Sequence, residues 1–156
     1  MNKILGNIEG EDITLFDDGH IEYTAKAAVD SDGIGLHHGD RTAQDDTSLH
    51  NQGKPLNADQ DKYVVVPPLI IWSVAPVVLG CQANCINTRN AKASLAVVGD
   101  VGPHKKIGEV SDSLAAALGL NPSPVNGGTS DHIIRYQLWP GVPAKVDGKT
   151  YSLKSS

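Results

Sequence analysis

Two carboxylates, Asp100 and Glu109, stand with eight residues between them within ASLAVVGDVGPHKKIGEVSDSLAAAL, Ala93 to Leu118. Paired carboxylates can hydrolyse a glycosidic bond: one protonates the leaving oxygen while the other activates water or attacks carbon. Residue type and spacing also allow a plainer reading, and by themselves favour it. An Asp before a Gly-Pro turn and a Glu before a helix are common structural residues. A second polar group, Asp30, Asp32, His38 and Asp40, falls in one long segment and suits a cleft wall. His37, His38 and Asp40 admit a metal site, although a hydrogen-bonded loop explains them better. AVDSDG opens like a calcium loop but lacks the later Glu at the required place. Trp72 lies inside an apolar run and reads as core. Trp139, beside Pro140 and Gly141 at a strand end, is the better flat platform for a sugar ring.

The elements that must hold these residues follow from pattern. Ala93–Val98 is an apolar, β-branched run of strand length, ended by Gly99-Asp100 and turned by Gly102-Pro103. Ser111 and Asp112 are capping types, Val110, Leu114 and Leu118 share one helical face, and Gly119 stops that helix. Asp12–Phe16 and His20–Lys26 form a hairpin around Asp17-Asp18-Gly19. Ala27–Asp61 is polar and aperiodic, too long for an idle connection, and reads as a functional loop. Tyr63–Pro67 and Leu69–Trp72 read as buried strands interrupted at Pro67-Pro68. Pro76–Leu79 continues towards GCQANC, where a turn at Gln82–Asn84 could close a disulfide loop between Cys81 and Cys85; two free thiols flanking a hairpin are the reading that cytoplasmic synthesis favours. Ile86–Asn90 leads into the Ala93 strand. Asn121–Ser130 is a loop, His132–Trp139 a strand with Ile134, Tyr136 and Leu138 on one face, and Asp147-Gly148 a short hairpin turn. The Lys-Ser-Ser tail is expected to fray.

At 156 residues the chain suits one domain, residues 1–156, with a real core. Sixteen Gly, nine Pro and a single Phe indicate a turn-rich, mainly β chain, for which a compact β-barrel with one principal helix and long loops is the best architecture. A formal charge of −5 argues against nucleic acid or an anionic membrane as partner and would suit a cationic ligand. No cofactor or metal is expected, and the protein is expected to be a monomer. The opening MNKILGNIEGEDITLF has no long apolar core. The expectation is synthesis in the cytoplasm without a signal peptide, with action after lysis or specialised export.

The series AAVDSDG, GDRTAQDDTSLH, LNADQDKYVVVPP, LAVVGDVGPHKKIGEVSDSLAAALG and HIIRYQLWPG resembles, in order, the motifs of the fungal-type chitosanases. These are a DIDCDG-like segment, a DP..Q..T segment, an L(D/N)A....(Y/F)VV.P strand and a GD....(G)E.S segment followed by a helix. The likeness spans Ala27 to Gly141. It implies a six-stranded, double-psi-like β-barrel and an inverting endo-glycosidase acting on β-1,4-linked amino-sugar chains. It places the family's two catalytic carboxyls on Asp100 and Glu109, reversing the preference drawn from spacing. Glu109 is expected to be the acid and Asp100 the base, with Asp30, Asp32, His38, Asp40 and Trp139 lining the substrate path. Departures are Ser31 for the family's Cys, and GDVGP where the fungal turn reads GDTNG. Chitosan is the first expected substrate. Peptidoglycan glycan, cleaved by a lysis enzyme or an antibacterial effector, is the second. A non-catalytic carbohydrate-binding barrel is the third reading.

Overall fold

The computed structural model describes residues 1–74 and 77–154. In chain order the strands are β1 (Lys3–Ile8), β2 (Glu11–Leu15), β3 (Ile21–Asp30), β4 (His50–Asn51), β5 (Lys54–Pro55) and β6 (Tyr63–Val66), followed by helix α1 (Pro68–Ser73). Then come β7 (Cys81–Asn87), β8 (Ala93–Val101), β9 (Glu109–Ser111), helix α2 (Asp112–Ala117), β10 (Thr129–Pro143), β11 (Lys145–Val146) and β12 (Lys149–Thr150). Six strands close into a barrel, β3-β10-β7-β8-β6-β9 and back to β3, with the β1–β2 hairpin added at β3. Parallel pairs β3/β9 and β6/β8 flank the antiparallel contact of β6 with β9, which gives the ring its double-psi-like pattern. Closure removes the open edges that an antiparallel sheet would otherwise expose.

Period-2 patterning explains which side chains fill the ring. Along β7, Cys81, Ala83 and Cys85 are buried, and along β10 so are Ile134, Tyr136 and Leu138. Val64, Val66, Ala96, Val98 and Val110 join them in the barrel core. Val65 and Val97, facing the other way, pack with Leu49, Leu56, Tyr63 and Tyr151 beneath the long loop and the C-terminal hairpin. Helix α2 forms where its capping residues indicate: the Ser111 hydroxyl accepts the Leu114 amide at 3.4 Å. No helix among the described residues is long and apolar enough to cross a membrane.

Three expected elements come out differently. Leu69–Trp72 is helical, because Pro68 occupies the first helical position, where its missing N–H costs nothing, and Trp72 is 73% exposed rather than core. GCQANC does not turn. Its alternation of small and polar side chains makes it the straight strand β7, with both cysteines free and buried on one face. Four residues of strand span about 13 Å, beyond disulfide reach. Gly99-Asp100 does not end the Ala93 strand, which runs on through Asp100 to Val101. Of the expected Pro76–Leu79 continuation and the frayed tail, Pro76, Ser155 and Ser156 lie outside the described residues.

Candidate active site

A bulge aims the first carboxylate. In the β6–β8 ladder Val64 pairs with Val98 but Val65 pairs with Asp100, leaving Gly99 as an extra residue. Ala96 and Val98 point into the barrel core and Val97 away from it. Strict alternation would send Asp100 inward after Val98. The bulge inverts the phase, so Val101 packs on the core and Asp100 emerges on the face of Val65. Only glycine fits the bulge. A Cβ there would stand 2.5 Å from Leu56 Cδ1 and 2.8 Å from Tyr63 Cβ.

The second carboxylate reaches the same face from the other side. Val65 pairs with Glu109 of β9 as well as with Asp100 of β8, so one valine separates the two acids. Two strand spacings put their backbones roughly 9.5 Å apart. The Glu109 carboxylate leans over Gly102, where an added Cβ would lie 2.6 Å from Oε2.

Both acids line an open cleft of about 530 Å³, together with Asp30, Asp32, Asp40 and Asp46. Five of the seven residues expected in the site thus meet, joined by Asp46: Asp30, Asp32, Asp40, Asp100 and Glu109 converge, whereas His38 and Trp139 lie elsewhere. His38 turns away to Asp59. Trp139 sits by the opposite end of β3, half-buried against His20 with ring centroids 5.8 Å apart. Trp72, by contrast, is exposed and not itself among the cleft-lining residues. Its ring lies 5.4 Å from that of His104, next to the cleft-lining Pro103.

The long loop supplies the rest of the wall. Asp40, Thr42, Gln44, Asp46, Thr47 and Ser48 all line the cleft, from a segment of turns and bends. The polar run DRTAQDDTS carries no period that would have singled out Thr42, Gln44, Asp46 and Ser48. Asp32 Oδ1 accepts the Gln44 amide at 2.7 Å, and the Tyr63 hydroxyl donates to the carbonyls of Asp30 and Asp32. These bonds tie the loop to the barrel mouth.

The electrostatics separate the two acids. Burial raises the pKa of both. Asp100 Oδ1 accepts the Ser48 amide and hydroxyl, each at 2.9 Å, and the Val101 amide at 3.0 Å, all of which favour the carboxylate. Glu109 receives no such donors among the described residues; only the charges of Lys106 and Lys26 oppose its burial. Asp30 is pushed up to about 8, first by burial and then by the charges of Asp32, Asp100 and Glu109. Burial and these neighbouring charges favour its protonated form, which lessens repulsion within the cluster. Asp30, Asp32 and Asp100 present carboxylate oxygens within 4.8 Å of one another, and so do Asp59 and Asp112 with a His38 nitrogen.

No protein-family model matches the chain, and no curated protein matches it either.

Proposed function

We propose that the protein is an inverting endo-glycosidase that hydrolyses β-1,4 linkages of a chitosan-like amino-sugar polymer. The observation that carries this reading is the flanking of Val65 by Asp100 and Glu109 at the floor of one open cleft. A backbone separation of two strands is compatible with the roughly 6.5–9.5 Å that inverting enzymes keep between their carboxyl groups. Asp100, whose burial raises its pKa but whose carboxylate three donors favour, serves as the base that orients water. Glu109, whose burial raises its pKa and whose carboxylate no such donor favours among the described residues, serves as the acid that protonates the leaving oxygen. The ordered likeness to the fungal-type chitosanases assigns the same two residues.

Substrate class follows from the cleft's charge. Six acidic residues line it and no Lys, Arg or His does, which favours the ammonium groups of glucosamine over glycans bearing lactyl carboxylates. Trp72, exposed and packed against His104, the residue after the cleft-lining Pro103, replaces Trp139 as the stacking platform.

The test is reducing-end release from chitosan and from purified peptidoglycan sacculi, side by side, with the first product anomer followed by NMR. Release from chitosan as the α-anomer is expected. Release from sacculi alone would transfer the reading to a wall-cleaving enzyme, a β-anomer would remove the single-displacement scheme, and no release from either would leave a binding barrel. Trp72→Ala is expected to raise KM severalfold with kcat nearly held; an unchanged KM on long oligomers would take Trp72 out of the substrate path.

A further inference from the structure

A second cavity, of about 500 Å³, shares no lining residue with the cleft. His38, Asp59 and Asp112 meet at its wall, beside Ser113, Ala116 and Asn121. Asp112 is only 4% exposed. Its Oδ1 accepts the Ser31 hydroxyl at 2.7 Å, but its Oδ2 is shut off from water and has no hydrogen-bond partner. A buried carboxylate oxygen without a donor is costly, and its usual remedies are a cation or a proton. Asp59 is arranged in the same way. Its Oδ2 accepts the Leu36 amide at 2.8 Å, leaving Oδ1 turned to His38 Nε2 at 2.5 Å. His38 Nε2 is also 3.8 Å from the orphaned Asp112 Oδ2. Each carboxylate is thus anchored through one oxygen and offers the other at a common point, which is how outer hydrogen bonds orient metal ligands. No Lys or Arg lines the cavity to compensate the two charges.

We infer that His38, Asp59 and Asp112 form a binding site for one divalent transition-metal ion, with zinc the best fit. One imidazole and two carboxylates match the nitrogen and oxygen ligands that zinc takes, and a fourth position would face the cavity. Donor atoms around tetrahedral zinc stand roughly 3.4 Å apart for metal–ligand distances near 2.0–2.1 Å. The observed 2.5 and 3.8 Å separations bracket that value, so ring and carboxylates need shift by less than about 1 Å to receive the ion. The ligands come from the long loop (His38, Asp59) and from the start of α2 on the barrel (Asp112). The ion would therefore clasp that loop, whose other residues wall the cleft, onto the barrel.

His20 shows why a histidine between two acids is not enough. Its ring binds Asp18 through Nδ1 and Glu22 through Nε2, on opposite sides, so the two carboxylates do not converge on one ion.

The test is calorimetric titration of the chelator-treated full chain with zinc chloride, alongside thermal melting with and without zinc, with magnesium chloride for comparison. One zinc per chain is expected, with a higher melting temperature in zinc and none of this with magnesium. His38→Ala and Asp112→Asn should each weaken binding at least tenfold, while His20→Ala should not. Asp59→Asn serves as the second carboxylate variant if Asp112→Asn does not fold. Absence of zinc binding, or binding undiminished by His38→Ala, would overturn the assignment and leave His38 as a protonated counter-charge to the two aspartates.

Discussion

At the scale of single residues the site separates chemistry from charge control. Asp100→Asn and Glu109→Gln keep shape while removing the ionisable group. Each should lower turnover on chitosan by roughly 10²–10⁴-fold, the scale of lost general acid or base assistance, and the double variant should be little worse than the poorer single one. Near-wild-type turnover in either would exclude that residue from the mechanism. Asp30 acts on stability instead. Its folded-state pKa of about 8 lies above the unfolded value near 3.8, so the folded state binds the extra proton between those limits. The associated stability is complete below about pH 4 and is lost as pH rises through about 8. Asp30→Asn, which can still accept the Asp32 amide, should melt above the wild type at pH 9 and converge with it near pH 4. Parallel melting curves across that range would show that Asp30 is ionised in the fold. Residue identities were largely legible in the sequence, since Asp30, Asp32, Asp40, Asp100 and Glu109 all reach the cleft. The Ser48 contact to Asp100 spans 52 positions and no local pattern announces it.

Among the elements, those with an unbroken period and clear punctuation were legible. The Asp17-Asp18-Gly19 hairpin, the alternation of β10, the Ser111 cap of α2 and the Asp147-Gly148 turn all fall where pattern places them. Errors arose where a short apolar run carries two meanings. Leu69–Trp72 is β-branched enough for a strand, but Pro68 starts a helix and the exposed Trp72 follows from the helical turn. The Gly99 bulge is harder still, because a glycine looks like an ending when it is a phase change. The β8–β9 connection has its own requirement, for the Glu109 carboxylate occupies the space a side chain at Gly102 would fill. Gly102→Ala should displace that carboxylate. We expect at least a tenfold loss of turnover with a melting temperature within a few degrees of wild type; unchanged turnover would mean that the Glu109 side chain swings away freely.

For the whole molecule, composition and strand count indicated a barrel, while its closure depends on pairings between distant segments, β3 with β9 and β10 with both β3 and β7. Cys81 and Cys85 illustrate the limit: their spacing suggested a loop, yet they line the barrel interior, where burial pushes the Cys81 thiol up to about 12 and raises Cys85 as well. One consequence of the ladder around Val65 concerns chain continuity. Asp100 and Glu109 are held in register by β6, a third strand, and not by the eight residues that join them. Covalent connection between the two acids is therefore dispensable once the barrel has closed. A site-specific protease sequence placed between the exposed Lys105 and Lys106 and cut after folding should leave two fragments that remain associated and retain most of the uncut protein's turnover. Loss of turnover while the fragments stay together would show that the connection, and not the sheet, sets the pair. In that respect the pair of acids is a meeting of three strands, indifferent to the order in which the chain visits them.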